Sequence, residues 1–304
     1  MLAGRPVTLL HIPAGAALTF GFLSAAIASL WLPWRPGRVP GGALWLALLV
    51  AAAGSGNHYG FVSWRGVLTL VALGLAVHAG ERSGGSNLQR GLAIALAVGL
   101  ALALMAHVLP GFANPRVVDA VSLSPQAIPY SKYLNFDKAA AGLLLIGLAG
   151  FRPPSALHWR RVLLTVARLA PATALLLLAL SRWLGYVAWE PGWPPILLFW
   201  AWTNLFFTCV AEEALFRGLI QRRLAAGLAR YRHGPAAGLL IAAALFGLAH
   251  AAGGWSYVLL STVAGVGYGL AYRWSGRIEA SIATHFAVNL VHFTLFTYPA
   301  LAVS

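Results

Sequence analysis

Acidic residues are scarce in this 304-residue sequence, seven in all, and Cys209 is the only cysteine. A lone cysteine excludes an internal disulfide and a thiolate metal cluster. Charged residues of both signs make up 9% of the chain, against about 25% in soluble domains, so water is not its main solvent. Strict polar and apolar alternation is missing as well. A run such as GLAIALAVGLALALMAHVL is apolar on every face, which excludes the strands of a membrane barrel. Nor is there a continuous basic stripe. The net charge of +14 comes from arginines set singly or in pairs between apolar runs, which speaks for membrane topology and against nucleic acid as a partner.

What the sequence does hold is a series of apolar runs of about 15–20 residues, roughly the length a helix needs to cross about 30 Å of hydrocarbon. They lie at about 14–33, 41–57, 63–80, 92–109, 138–151, 163–181, 195–216, 236–252, 257–273 and 279–298. The expected fold is all-α, a polytopic transmembrane helix bundle of about ten spans, within a range of eight to ten. The runs at 41–57 and 138–151 are the least marked. The first run reads as a retained span, because Trp and Arg follow it where a signal peptide would have a small-residue cleavage site. The polar connection at 110–137 has no helical period. It divides the chain into an N-terminal bundle of about four spans with that connection, 1–137, and a C-terminal core of about six spans, 138–304.

With ten spans, the connections after odd-numbered spans hold Arg35, Arg38, Arg82, Arg90, Arg152, Arg160, Arg161, Arg222, Arg223, Arg230, Arg232, Arg273 and Arg277. The other side holds only Arg5, Arg65, Arg116, Lys132, Lys138 and Arg182. The positive-inside rule then places both termini outside and QRRLAAGLARYRHG in the cytoplasm, as for a multi-pass protein of a prokaryotic cytoplasmic membrane. Trp31, Trp34, Trp183, Trp189, Trp193 and Trp274 near span ends suit an interfacial aromatic belt. Gly265 and Gly269 form a G-x-x-x-G pair suited to close helix packing.

Two of the seven acids are adjacent, Glu212 and Glu213, at the end of the apolar run ILLFWAWTNLFFTCVAEEALFRGLI. A carboxylate at membrane depth costs about 2.5 kcal/mol or more, so it marks a functional site facing protein or a water-filled cavity. Successive helical residues point about 100° apart, so the two carboxylates have separate jobs. Glu213 stands four before Arg217, the spacing of a structural ion pair. That leaves Glu212 as a general base for water, or all three residues as one salt-bridge cluster. Further on, Phe246 precedes His250 by four, and His285 precedes Asn289 by four on one face of the last span. Three polar elements on three successive segments leave groups that lipid cannot satisfy, and a shared polar cavity is the cheapest solution. His292 shares the face of His285 and Asn289. Cys209 lies on the face of Glu212 and reads as packing. No role follows for His11, His58, His78, His107, His158 or His233, and Asp137 and Lys138 are noted only as charges at a span start.

The pattern Glu-Glu-x-x-x-Arg (Glu212, Glu213, Arg217), then Phe-x-x-x-His (Phe246, His250), then His-x-x-x-Asn (His285, Asn289) resembles the CAAX-protease and bacteriocin-processing family, which includes the Ras-converting enzyme. The resemblance covers roughly residues 195–295. It implies an intramembrane endopeptidase acting on a membrane-associated peptide or protein. Glu212 and His250 would activate water, His285 and Asn289 would bind the oxyanion, and Glu213, Arg217 and Phe246 would support them. No cofactor is expected. A zinc-dependent variant with Glu212, His250 and His285 as ligands is the second reading, since the short zinc-protease motif of two histidines four apart is absent. A proton- or ion-coupled transporter using the same buried polar residues is the rival from another class. A catalytically idle member would keep the fold without the chemistry.

Overall fold

A computed structural model describes residues 10–32, 41–82, 86–151 and 154–302. Arg5, Trp34, Arg35, Arg38 and Arg152, which entered the topology reading, lie outside the described residues. Ten helices are found among the described residues: α1 (Ala16–Ser29), α2 (Gly41–His58), α3 (Trp64–Glu81), α4 (Asn87–Met105), α5 (Phe136–Leu148), α6 (Ala156–Trp183), α7 (197–227), α8 (Gly234–Leu248), α9 (Gly254–Ser275) and α10 (Ile278–Leu295). Each falls on one of the ten apolar runs. Their ends follow local chemistry. Ser86 and Ser155 open α4 and α6 with capping boxes, closed reciprocally by Gln89 and His158. Gly276, at φ 68°, ends α9 in the left-handed conformation that other residues avoid.

Length and apolarity alone qualify two of these helices to cross a membrane, Asn87–Met105 and Ala156–Trp183. The pair Gly234–Leu248 and Ala251–Ser275, bent by 55°, adds a third if it is one broken span. The others are shorter or carry the polar residues discussed below. Contacts between connections show that successive helix ends alternate between two ends of the bundle. At one end Trp31 Nε1 donates to Glu279 Oε1 at 3.0 Å, and Arg222 and Arg223 both pair with Glu81. At the other end Val62 bridges to Phe112, Ala127 to Leu301 and Trp189 to Phe296.

The all-α expectation needs one correction. The connection 110–137 carries an antiparallel hairpin, β1 (Arg116–Val121) and β2 (Tyr130–Tyr133), pairing Arg116 with Tyr133, Val118 with Lys132 and Val121 with Tyr130. Bulges shift the register twice, and this breaks the period-two pattern by which a strand is read from sequence. The hairpin lies at the same end of the bundle as the start of α5.

Helix α5 runs through the middle of the molecule with ten of its residues buried, from Phe136 to Ile146. It touches α7 at Gly142, where a Cβ would lie 2.5 Å from the Ala211 Cα, next to Glu212. Only the missing side chain allows this approach. Helices α8 and α9 meet in the same way. A Cβ at Gly265 would come within 3.1 Å of the Ala243 Cα, and one at Gly269 within 2.9 Å of Leu239 Cγ, the close packing expected of the G-x-x-x-G pair.

Candidate active site

Helix α7 positions the two glutamates. Its α-helical turns Leu197–Thr203, Val210–Glu213 and Arg222–Gly227 are interrupted by π-helical stretches at Asn204–Cys209 and Ala214–Gln221. The wider π-turn is a rare form that recurs at functional sites, and here one lies on each side of the glutamates. Glu213 and Arg217 are fully buried and pair at 3.0 Å, as their spacing predicted. The guanidinium also donates to the Gly265 carbonyl at 2.9 Å and lies 4.6 Å from the centre of the Phe246 ring and 5.4 Å from that of Tyr268. One turn on, Gln221 donates to the Gly269 carbonyl at 3.0 Å. Two side chains four apart on α7 thus meet two carbonyls four apart on α9.

Glu212 points elsewhere. Its Oε1 accepts from Lys138 Nζ at 2.6 Å, and its Oε2 lies 3.9 Å from His285 Nε2. His285 Nδ1 is 2.8 Å from Glu213 Oε1, so this imidazole stands between the two carboxylates, and its ring stacks on Tyr268 at 4.4 Å. At the end of α8, His250 Nδ1 is 2.8 Å from the Phe246 carbonyl. A carbonyl only accepts, so Nδ1 carries a proton and donates it to this bond. Phe246, four residues earlier, therefore serves twice, with its carbonyl for His250 and its ring for Arg217. On α10, Asn289 donates to Asn204 Oδ1 at 3.2 Å, and Cys209 Sγ donates to the same oxygen at 3.2 Å. Cys209 is thus a packing and hydrogen-bonding residue.

Glu212, His250, His285 and Asn289 all line one cavity of about 460 Å³, together with Asn204, Lys132 and Lys138. Glu213 and Arg217 lie behind its wall. His292 lines it too, with Nε2 against the Thr297 carbonyl at 3.2 Å.

Residues 194–291 match the family model described as type II CAAX prenyl endopeptidase Rce1-like. This part of the chain is similar to the Rce1-like family. Every motif residue from Glu212 to Asn289 falls within the matched segment. No curated protein and no solved structure matches the chain.

Two cations of the cavity come from outside the Rce1-like segment. Lys138 opens α5, and its neighbour Asp137 is fixed by three donors: Asn114 Nδ2 at 3.0 Å, the Lys138 amide at 2.8 Å and His107 Nδ1 at 2.8 Å. An acid in the first turn of a helix also suits the helix dipole. Lys132, on β2, is pushed down to about 8, first by its removal from water and then by the Lys138 ammonium. Burial raises the Tyr186 phenol, at the mouth of the same cavity.

The zinc reading requires Glu212, His250 and His285 to converge on one ion. Among the described residues no three His, Cys, Asp or Glu side chains are set to hold a metal. The Lys138 ammonium takes one of the two Glu212 oxygens, Oε1, and Oε2 faces His285.

Sequence reasoning missed Asn204, Lys132 and the pairing of Lys138 with Glu212. Asn204 had a usable signal, since an amide eight residues before Glu212 in an apolar run needs a polar neighbour. Lys132 had none, because nothing in its own segment says that a hairpin will fold over the cavity.

Proposed function

We propose that this protein is an intramembrane endopeptidase that hydrolyses a peptide bond in a membrane-associated peptide or protein, with water activated by Glu212 and without a metal. The observation that carries this reading is the convergence of Glu212, His250, His285 and Asn289, contributed by α7, the end of α8 and α10, on one polar cavity. The Rce1-like match supports the protease class.

The two oxygens of Glu212 have different work. Lys138 holds Oε1, which leaves Oε2 to take a proton from water as its oxygen attacks the carbonyl carbon. His250, held at Nδ1 by the Phe246 carbonyl, assists in orienting that water. The developing oxyanion is received by the Asn289 amide and by His285 Nε2 when protonated, donors of a kind often worth about 3–4 kcal/mol. Collapse of the tetrahedral intermediate breaks the C–N bond, and protonated Glu212 returns its proton to the departing amine. Glu213, fixed by Arg217, orients His285 through Nδ1. All ten helices cross the bilayer in this reading, with the arginine-rich end in the cytoplasm.

The test is cleavage by the purified full-length protein in detergent, presented with a library of peptides carrying apolar or lipid-modified ends and read by mass. A proton or ion relay built from the same residues needs a sealed membrane, whereas peptide hydrolysis does not. Cleavage that persists after exhaustive chelation and disappears in Glu212→Gln supports the proposal. Cleavage abolished by chelation and restored by zinc alone would overturn its metal-free part. Transport without cleavage would overturn the whole.

A further inference from the structure

A second pocket, of about 400 Å³, lies at the other end of the bundle, lined by Leu157, Arg160, Arg161, Leu164, Thr165 and Arg168 of α6 and by Trp274 of α9. The six α6 residues recur at helical spacing along three turns, so they form one stripe. The neighbouring stripe, with Val162 and Leu169, packs onto Ala271 of α9 and Ala280 of α10, which fixes the arginine stripe beside Trp274.

Among the described residues, no acid balances the charge of this pocket. The seven acids of the sequence are Glu81, Asp119, Asp137, Glu190, Glu212, Glu213 and Glu279. Glu81 pairs with Arg222 and Arg223, Glu279 with Arg277, Asp119 with Arg116, Asp137 with His107, Glu212 with Lys138 and Glu213 with Arg217. Glu190 bonds through its amide to the Leu295 carbonyl, at the opposite end of the bundle. None is left for Arg160, Arg161 or Arg168.

Arg168 carries the argument further. It lies twelve residues into a 28-residue helix that is long and apolar enough to span a membrane. Helical side chains tilt toward the N-terminus, so its guanidinium reaches back toward the turn of Arg160 and Arg161, where the headgroups begin. Trp274 is more than half exposed beside it, as an indole at the polar–apolar boundary is. Forked donors matched to phosphate, an interfacial indole and a missing counter-charge together define the ligand.

We propose that Arg160, Arg161 and Arg168, flanked by Trp274, bind the phosphate of an anionic phospholipid at the membrane face opposite the mouth of the catalytic cavity. The proposal does not depend on the protease reading.

Native mass spectrometry of the full-length protein, released from detergent and titrated with phosphatidylglycerol, cardiolipin or phosphatidylcholine, tests it. The anionic lipids should be retained in preference to phosphatidylcholine. Each arginine replaced by Gln should weaken retention about fivefold, and Arg161→Gln with Arg168→Gln about 30-fold. Arg230→Gln, a basic change elsewhere on the same end, should leave retention as in the parent. Trp274→Ala provides a variant that keeps every charge and should also lose lipid. Equal retention by parent and arginine variants, or indifference to headgroup charge, overturns the proposal. Displacement of the lipid by millimolar inorganic phosphate would also overturn it, by showing a free-phosphate site in place of a lipid one.

Discussion

Glu212 and Lys138 form an ion pair largely withdrawn from water, and such a pair behaves differently when broken than when removed. Losing one partner leaves a buried charge alone, at a penalty of about 3–5 kcal/mol, whereas losing both is far milder. Lys138→Met should therefore lower the unfolding temperature in detergent, and adding Glu212→Gln should restore part of the loss. If the double variant is less stable than Lys138→Met, the pair is not coupled as described. In activity the order differs. Glu212→Gln should reduce kcat/KM by about 10²–10⁴-fold, the usual worth of a general base, with the helical circular-dichroism signal unchanged.

Lys132 gives a pH signature at the same scale. Its folded-state value of about 8 lies below the ordinary 10.5, so its charged form is disfavoured in the folded protein. Between these two values the unfolded chain binds more protons than the folded one, and stability rises with pH. The difference in unfolding temperature between the parent and Lys132→Met should therefore shift in favour of the parent as pH goes from about 8 to 10.5. A difference that stays flat over this window would contradict the buried placement of the ammonium.

At the scale of elements, the glycines decide how closely helices approach the glutamates. Gly142→Ala puts a methyl group into the backbone of α7 beside Glu212. Overpacking of this kind costs about 1–3 kcal/mol, and here it also displaces the Glu212 carboxylate. We expect reduced activity together with a lower unfolding temperature. Gly21→Ala, where an added Cβ meets nothing within 4 Å, should leave both unchanged. The helices themselves were legible in the sequence because each apolar run is long and bounded by Pro, Gly or charge. The hairpin was not, since its bulges and its mixed buried and exposed positions leave no period. The π-turns of α7 were equally hidden. They change hydrogen-bond register without changing composition.

For the whole molecule, the charge asymmetry seen in the sequence becomes a statement about two ends of a bundle. Among the described residues, Arg160, Arg161, Arg222, Arg223, Arg230, Arg232, Arg273 and Arg277 gather at one end, and the cavity lined by Glu212 lies toward the other, under the hairpin. With the arginine-rich end in the cytoplasm, substrates would reach the cavity from outside. A single cysteine at Ser122, in a Cys209→Ala background, should react with a membrane-impermeant maleimide on intact cells, and one at Ala229 only after lysis. The reverse pattern would place the cavity toward the cytoplasm. The motif residues were legible because polar groups are rare in apolar runs, and the spacing of Glu213 and Arg217 gave their pairing directly. Partners of distant origin were not, because spacing carries no information between elements that meet only in the folded chain.

The bond between Lys138 and Glu212 has a consequence for how the molecule can be divided. A fragment starting at residue 194 would carry every recognisable motif and still lack the ammonium that holds the Glu212 carboxylate. On the proposed reading, the matched segment alone should not hydrolyse peptides. Grafting it behind another membrane anchor would transfer the signature and leave the chemistry behind, unless a cation were supplied where α5 now delivers one.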